Sequence, residues 1–270
     1  MVDGFAARVQ QAILQSGRLC VGIDPHLRLL DAWGLADSAD GLREFGLRVV
    51  DAAAGRVGFV KPQVAFFERH GAAGYAALED TMAASRAAGL VVIADAKRGD
   101  VGSTVAAYGE AWLTPGFPLE ADALTVVAYQ GLGSLDGVID LAERHGKGLF
   151  VLTATSNPEA ALTQRAIRGD QRTLAAGLVA DIRARASTSL GVVVGATIDI
   201  ADYGIALDDL VGLPVLAPGF GAQGAHLGDL PTLFGPAAAN TLANVSRSVL
   251  EAGATGLADA LQRAKEEVAA

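Results

Sequence analysis

The chain has 270 residues, of which 51% are hydrophobic and 33 are glycine, enough for one large α/β barrel or two small domains. Its formal net charge of −9 argues against a nucleic acid or an anionic membrane as partner, although a local cluster of Lys and Arg would still bind a small anion. Cys20 is the only cysteine, which excludes an internal disulfide and fits a reducing compartment. No apolar signal segment is visible and no run approaches the ~20 residues of a membrane span, so we expect a cytoplasmic protein.

Apolar patterning predicts short strands that alternate with helices along the whole chain. The predicted strands span residues 18–23, 57–60, 90–94, 123–127, 148–152, 191–194, 214–216 and 243–246. The predicted helices span residues 5–15, 42–54, 71–88, 103–112, 135–145, 158–168, 170–186, 201–210, 230–234 and 256–270. Runs such as GVVVG show no polar alternation, which is typical of parallel strands buried on both faces. Eight such strands predict a single-domain (β/α)₈ TIM barrel over residues 1–270, with an open doubly wound sheet as the alternative.

The third predicted strand runs into a group of charges, in the segment VVIADAKRGDVGST. Asp95 and Lys97 lie two apart, so a strand places their side chains on one face. Burying opposite charges at a strand end costs desolvation free energy, which calls for a reason. A structural ion pair, with Arg98 and Asp100 on a solvated loop, is the alternative at this point.

Three neighbouring positions can be interpreted in two ways. Lys61 could be a surface lysine, but Pro62 directly after it indicates a sharp turn that aims Lys61 at the mouth of the barrel. Asp100 and Thr104 lie four apart at a predicted helix start, so they share a face. Asp100 could instead cap that helix.

Polar and charged residues follow several of the predicted strands. Asp24 follows the first strand, Lys61 the second, Asp95 and Lys97 the third, residues 155–157 the fifth, a PGFGAQG loop the seventh and Arg247 the eighth. The carboxyl ends of barrel strands meet at one face, where the active sites of such barrels lie. This bias toward one end is the main indication of a site.

The PGFGAQG loop and Arg247 predict a phosphate site, because barrels often hold phosphate between the loops after strands seven and eight. Glycine lets main-chain N–H groups approach the anion, and Arg247 supplies a charged fork. A surface ion pair is the alternative for Arg247, and Gln223 is either a neighbour of the phosphate or a solvated loop residue. The four histidines show no metal-ligand spacing, so no metal site is predicted.

Segments spread over most of the chain resemble the orotidine 5′-phosphate decarboxylase family, in its longer bacterial form. They read VGIDP, FVKPQVAFFE, DAKRGD, TSNP, VVVGAT, PGFGAQG and SRS. Asp-x-Lys-x-x-Asp is shared with a superfamily of phosphosugar barrels, whereas its combination with PGFGAQG and a final Arg is highly specific. Ala128 departs from the proline expected before Tyr129, outside the charged group.

The resemblance implies a cofactor-free conversion of orotidine 5′-monophosphate to uridine 5′-monophosphate and CO₂, in pyrimidine biosynthesis. It implies that Lys61, Asp95, Lys97 and Asp100 form an alternating charge network in which Lys97 protonates C6. It further implies that Asp24 and Lys61 hold ribose hydroxyls, Ser156 contacts the pyrimidine, and Gln223 and Arg247 grip the phosphate. Asp100 and Thr104 would come from the neighbouring subunit of a homodimer.

Two other functions remain open from the sequence. One is a metal-dependent phosphosugar lyase or decarboxylase of the same barrel superfamily, which chelation would inactivate. The other is a barrel that binds a phosphate ligand without turnover. The second is disfavoured, because simple binding does not need two buried carboxylates beside an anion.

Overall fold

The computed structural model describes residues 4–269. Within this range eight parallel strands close into a barrel in sequence order, with β1 also paired to β8. The strands are β1 (Leu19–Ile23), β2 (Phe59–Pro62), β3 (Val91–Arg98), β4 (Ala123–Val126), β5 (Gly148–Ala154), β6 (Leu190–Val194), β7 (Val215–Pro218) and β8 (Thr241–Val245). The closed barrel confirms the predicted (β/α)₈ fold and rules out the open sheet.

Helices cover the outside of the barrel, and one of them also closes the end at which the strands begin. They are α1 (Phe5–Ser16), α2 (Leu27–Ala32), α3 (Ala39–Ala53), α4 (Val64–Glu68), α5 (Gly71–Ala87), α6 (Gly102–Leu113), α7 (Asp136–His145), α8 (Ala160–Gln164), α9 (Leu174–Ala184), α10 (Leu230–Phe234), α11 (Arg247–Leu250) and α12 (Gly253–Ala269). Short 3₁₀ segments occupy Leu132–Leu135, Ile200–Tyr203, Leu207–Leu210, Leu227–Asp229 and Gly235–Asn240. In the part of the chain that is described, no helix combines the length and apolar character that crossing a bilayer requires.

The outer helices form because their apolar residues recur at helical spacing and face the strands. In α3, Leu42, Phe45 and Val49 are fully buried on one side. The helix starts at Ser38, whose hydroxyl accepts the N–H of Gly41 and so satisfies one free donor of the first turn. This packing fixes the strand ends that carry the site.

Helix α1 closes the amino-terminal end of the barrel. Phe5 and Val9 are fully buried among interior side chains, and the Phe5 ring meets Phe150 edge to face with centroids 5.7 Å apart. Gly148 makes room for this ring, since a Cβ there would lie 2.5 Å or less from three of its carbons. The floor beneath the charged residues is therefore apolar.

The third strand is longer than predicted. It continues through Asp95 and Lys97 to Arg98, and its register against β4 shifts between Ala94 and Arg98. Lys97 lies at the shift with φ of 50°, in the left-handed region. The simple alternation used to place Asp95 and Lys97 on one face therefore does not describe this part of the strand.

Helix boundaries after the fifth strand were predicted incorrectly. The predicted helix 158–168 is only α8, and the predicted helix 170–186 begins at Leu174. The Asp170 carboxylate accepts the N–H of Arg172 and makes a turn, while Thr173 caps α9 by accepting the N–H of Ala176.

Three other predicted elements also differ. The predicted helix 201–210 is two 3₁₀ segments, because Gly204 adopts a left-handed conformation with φ of 69° that interrupts it. The eighth strand lies at Thr241–Val245, so it begins two residues and ends one residue earlier than predicted, and Ser246 precedes α11. The last predicted helix begins three residues early, at Gly253, and its predicted end at Ala270 lies outside the described residues.

Candidate active site

A cavity of about 760 Å³ opens at the carboxyl ends of the strands. Its lining includes seven of the nine predicted site residues, namely Asp24, Lys61, Asp95, Lys97, Ser156, Gln223 and Arg247. The structure therefore brings together polar side chains from the carboxyl ends of strands one, two, three, five, seven and eight, or from the loops after them. Asp100 and Thr104 do not line it.

Lys61, Asp95 and Lys97 form a continuous charged row at the base of the cavity. Lys61 Nζ lies 2.7 Å from Asp95 Oδ2, and Lys97 Nζ lies 2.6 Å from Asp95 Oδ1. The side chains of Lys61 and Asp95 are 5% and 10% exposed, whereas that of Lys97 is 46% exposed. Of the two ammonium groups, that of Lys97 is therefore the one more open to solvent.

Burial and charge oppose each other in this row. Burial raises the pKa of Asp95, but the charges of Lys61 and Lys97 and their hydrogen bonds outweigh it and hold that pKa well below its usual value. Burial likewise lowers the pKa of Lys61, but Asp95 and then Asp24 outweigh it and raise that pKa above its usual value. Asp95 is thus a carboxylate and Lys61 an ammonium at neutral pH.

Thr125, on β4, contacts the same row from the neighbouring strand. Its Oγ1 accepts the main-chain N–H of Lys97 at 2.9 Å and donates to Asp95 Oδ1 at 2.9 Å. The side chain is buried and lines the cavity. Thr125 was not predicted as a site residue, because a threonine in a strand carries no signal of its own.

Gln63 is a second residue that the sequence analysis missed. Its Oε1 accepts a hydrogen bond from Lys61 Nζ at 3.2 Å, and it lines the cavity. Together with Asp95, it gives the buried ammonium two oxygen acceptors. Its place two residues after Lys61, at a strand end, was the available signal.

Three buried polar atoms on the β1–β8 side of the cavity have no hydrogen-bond partner within residues 4–269. They are Asp24 Oδ1, Asn244 Oδ1 and Ser246 Oγ, and their residues line the cavity. Gly22 allows this cluster, since a Cβ there would lie 3.1 Å from Asp24 Oδ2 and 2.9 Å from the Cβ of Ser246. Buried polar atoms are costly unless they are hydrogen-bonded, so these atoms are suited to a polar ligand.

The loop after β7 adopts backbone conformations that glycine favours, as the phosphate prediction expects. Gly219, Gly221 and Gly224 have φ values of 120°, 72° and 109°, a region that side chains disfavour. Arg247 faces the same cavity across from this loop. Its guanidinium forms no ion pair within the described range, so the surface ion pair considered above is not observed.

Ser156 and Gln223 face each other across the mouth. Ser156 Oγ lies 3.5 Å from Gln223 Oε1, so the loops after β5 and β7 meet over the cavity. The Ser156 loop is held by Gln164, whose side chain accepts the N–H of Thr155 at 2.8 Å and donates to its Oγ1 at 3.0 Å. Helix α8 thereby positions the loop after β5.

Asp100 and Thr104 lie beside the site without entering it. Thr104 is exposed on α6, and Asp100 precedes that helix, where its Oδ1 accepts the N–H of Val101 at 2.8 Å. The N-cap residue of α6 is Val101, so the capping role considered for Asp100 is not observed. Within one chain the charged row therefore ends at Lys97.

Aromatic rings and further polar groups complete the mouth. His26 and Phe66 line it with ring centroids 4.2 Å apart, and Thr155 and Asn157 line the opposite side. Within residues 4–269 no three His, Cys, Asp or Glu side chains gather where they could hold a metal ion.

Comparison with known proteins identifies the family. The family model described as "Orotidine 5'-phosphate decarboxylase / HUMPS family" matches residues 17–261. Proteins named orotidine 5′-phosphate decarboxylase are 49% identical in Streptomyces coelicolor, over 99% of this chain and 98% of that protein, and 50% identical in Nocardioides sp., over 91% of each.

Solved structures agree with these relatives. A crystal structure described as a candidate orotidine 5′-phosphate decarboxylase from Streptomyces avermitilis has a TM-score of 0.94 at 48% identity, over 99% of this chain and 95% of that chain. The OMP decarboxylase structure from Leishmania donovani has a TM-score of 0.79 at 28% identity, over 98% of this chain and 97% of that one. With the family model matched over most of its length, the chain belongs to the orotidine 5′-phosphate decarboxylase / HUMPS family.

Proposed function

We propose that this chain is a cytoplasmic carboxy-lyase that converts orotidine 5′-monophosphate to uridine 5′-monophosphate and CO₂ in de novo pyrimidine biosynthesis. The observation that carries the proposal is the Lys97 ammonium, held 2.6 Å from the Asp95 carboxylate on the wall of a cavity that also contains Arg247. The names of the relatives at 49% and 50% identity support the same activity.

The cavity fits the parts of such a nucleotide in order. The phosphate binds between Arg247 and the glycine loop after β7, with Gln223 beside it. The ribose lies over Asp24 and Lys61, which offer a hydrogen-bond acceptor and an ammonium. The pyrimidine lies under Ser156, and this orientation turns its C6 carboxylate toward Lys97.

Electrostatic stabilisation accounts for the chemistry. When the bond from C6 to the carboxylate breaks, its electron pair stays on C6 in an sp² orbital that no π system can delocalise. The Lys97 ammonium stabilises this charge and transfers a proton to C6, while CO₂ leaves. Asp95 lies close to the substrate carboxylate, and the repulsion between the two anions is relieved as CO₂ departs.

Binding away from C6 supplies much of the remaining rate enhancement. Enzymes lower barriers by roughly 8–23 kcal/mol, whereas one proton donor contributes only about 10²–10⁴-fold. The remainder requires preorganised charge and binding energy from the distant phosphate. Arg247 and the glycine loop therefore affect turnover as well as affinity.

We further propose a homodimer in which each site is completed by its partner. Asp100 and Thr104 lie outside their own cavity, next to Val101, an apolar side chain that is 53% exposed. In a symmetric dimer the partner's copies would extend the charged row beyond Lys97. The proposal rests on these positions and on the family resemblance.

An ultraviolet assay on orotidine 5′-monophosphate, with and without a chelator, tests the activity. We expect turnover that the chelator does not change. Loss of activity on chelation would instead favour the metal-dependent lyase, and nucleotide binding without product would favour the simple binding protein.

The Lys97→Ala variant tests the proton donor in the same assay. It should fold normally and lose at least about 10²-fold in kcat. Lys265→Ala is the matched control, because among the described residues Lys265 Nζ donates a hydrogen bond to the main-chain oxygen of Arg56 alone, away from the cavity. Near-normal turnover by folded Lys97→Ala would exclude Lys97 as the donor.

A further inference from the structure

The Thr125 hydroxyl links the backbone of Lys97 to the carboxylate of Asp95, which the Lys97 ammonium also contacts. It accepts the main-chain N–H of Lys97 and donates its one proton to Asp95 Oδ1, both at 2.9 Å. Asp95 Oδ1 also accepts from Lys97 Nζ at 2.6 Å. Asp95 Oδ1 therefore holds the Lys97 side chain directly and the Lys97 backbone through the Thr125 hydroxyl.

This link occurs where the backbone needs support. Lys97 has φ of 50°, a conformation that costs a residue with a Cβ free energy and persists only where its surroundings hold it. The β3–β4 register also shifts between Ala94 and Arg98, so the regular ladder does not hold Lys97 there. The side chain of Thr125 supplies the acceptor for the Lys97 N–H in its place.

We propose that Thr125 is a positioning residue for the decarboxylation: its hydroxyl holds the backbone of Lys97 and the carboxylate of Asp95 so that the ammonium faces C6. This inference rests on the proposed function. Thr125 acts through Lys97 and Asp95, so its loss should affect stabilisation of negative charge at C6. Recognition of the phosphate by Arg247 and the glycine loop, and of the ribose by Asp24 and Lys61, should not change. Thr125 hydrogen-bonds Asp95 Oδ1, whereas Lys61 is held by Asp95 Oδ2.

Thr125→Val tests this, because valine keeps the branched shape and removes the hydroxyl. We expect kcat to fall about 10- to 100-fold, since small misplacements of a reacting group have effects of that order. KM and the Kd for uridine 5′-monophosphate should stay within about threefold. The Kd for a uridine 5′-monophosphate analogue with an anionic oxygen at C6 should rise in parallel with the loss of kcat.

Two further variants separate the hydroxyl from packing. Thr125→Ser restores the hydroxyl and should recover kcat to within about fivefold of wild type. Thr153→Val is the matched control, because Thr153 is also a buried barrel threonine, and its one side-chain hydrogen bond within residues 4–269 goes to the main-chain oxygen of Val151. It should leave kcat and both dissociation constants unchanged. If Thr125→Val does not fold, Thr125→Ala in the same assays decides.

Several results would overturn the inference. One is a folded Thr125→Val variant with wild-type kcat, and another is a Thr125→Ser variant as slow as Thr125→Val. A third is an equal rise in the Kd for uridine 5′-monophosphate and in the Kd for its analogue with an anionic oxygen at C6. An inactive wild-type protein would overturn the proposed function together with this inference. An active wild type with an unaffected Thr125→Val variant would overturn this inference alone.

Discussion

At the scale of single residues, Asp95 organises the site. It accepts hydrogen bonds from Lys61, Lys97 and Thr125, which leaves both of its oxygens occupied inside an apolar barrel. Its ion pair with Lys61 is buried on both sides. Removing one member of such a pair leaves the other charge unpaired, which is more costly than the pair itself is stabilising.

Asp95→Asn is expected to destabilise the fold in a pH-dependent way. At pH 7 the loss should be about 3–5 kcal/mol, since Lys61 stays charged without its counterion. The folded-state pKa of Asp95 lies below the unfolded value of about 3.9. The contribution of the Asp95 carboxylate to the free energy of unfolding is therefore complete above about pH 4, and it is lost as the pH falls toward the folded-state pKa.

Urea unfolding of wild type and Asp95→Asn from pH 7 down to pH 3 measures this. The difference in free energy of unfolding should shrink below about pH 4. Asp80→Asn is the control, because its ion pair with Arg43 is half-exposed on both sides and contributes little. If the difference in free energy of unfolding between wild type and Asp95→Asn stayed constant down to pH 3, the expected lowering of the pKa of Asp95 by folding would be contradicted.

Sequence patterns predict charged site residues better than neutral ones. Asp95 and Lys97 are conspicuous because charges rarely end a buried strand, and the structure brings them together. Their contact, however, depends on the left-handed Lys97 and the hydroxyl of Thr125 rather than on strand alternation. Neither the conformation of Lys97 nor the hydrogen bonds of Thr125 leave a pattern in the neighbouring sequence, because both depend on how β3 pairs with β4.

At the scale of elements, strands were easier to predict than the segments after them. All eight apolar runs became strands, because burial on both faces leaves a strong signal. The helix predicted at 158–168 shrank to α8, since side chains such as Gln164 bond the loop before it. Such contacts depend on tertiary structure and override local propensity.

Gln164→Leu should loosen the loop that carries Ser156. It removes two hydrogen bonds to Thr155, each worth about 0.5–1.5 kcal/mol. We expect KM for the nucleotide to rise roughly 3- to 10-fold while kcat changes less, because in the proposed binding mode this loop contacts the base and does not donate the proton. Steady-state kinetics and amide exchange of the loop measure both effects.

Gln262→Leu is the control for this change. In the described part of the chain, the one side-chain hydrogen bond of Gln262 goes to Glu266 on the exposed side of α12. Its loss should therefore affect neither KM nor amide exchange in the Ser156 loop. Faster exchange at residues 155–157 with an unchanged KM would show that this loop does not contribute to nucleotide binding.

At the scale of the whole molecule, the count of eight strands was enough to predict a closed barrel. A homodimer cannot be predicted in that way, because association depends on which exposed surfaces match. Val101 and Tyr129 are 53% and 83% exposed near the third and fourth strand ends, and Asp100 lies beside Val101. Sharing of the sites across a dimer remains a prediction that mixing experiments can test.

Mixing Lys97→Ala with Asp100→Ala subunits should restore activity if the sites are shared. A heterodimer then has one site with both native residues and one with neither. Random association should therefore recover about a quarter of wild-type activity from two inactive variants. Activity after co-refolding, measured with orotidine 5′-monophosphate, gives the result.

The control is a mixture of Lys61→Ala and Lys97→Ala subunits. Both residues line the cavity of their own chain, so no heterodimer contains an intact site and no activity should return. Failure of the first mixture to gain activity over the second, with heterodimers present, would exclude shared sites.

The apolar closure by Phe5 and Val9 has a consequence for how the reaction cycle is completed. In the described residues 4–269 an apolar cluster closes the amino-terminal end of the barrel, and at the open end the Lys97 side chain is 46% exposed while that of Lys61 is 5% exposed. In the proposed reaction Lys97 gives its proton to carbon, and the replacement proton enters by the route through which the product leaves. Departure of the product and reprotonation of the Lys97 amine therefore use the same open end of the cavity, and the proposed reaction needs no proton pathway through the protein interior.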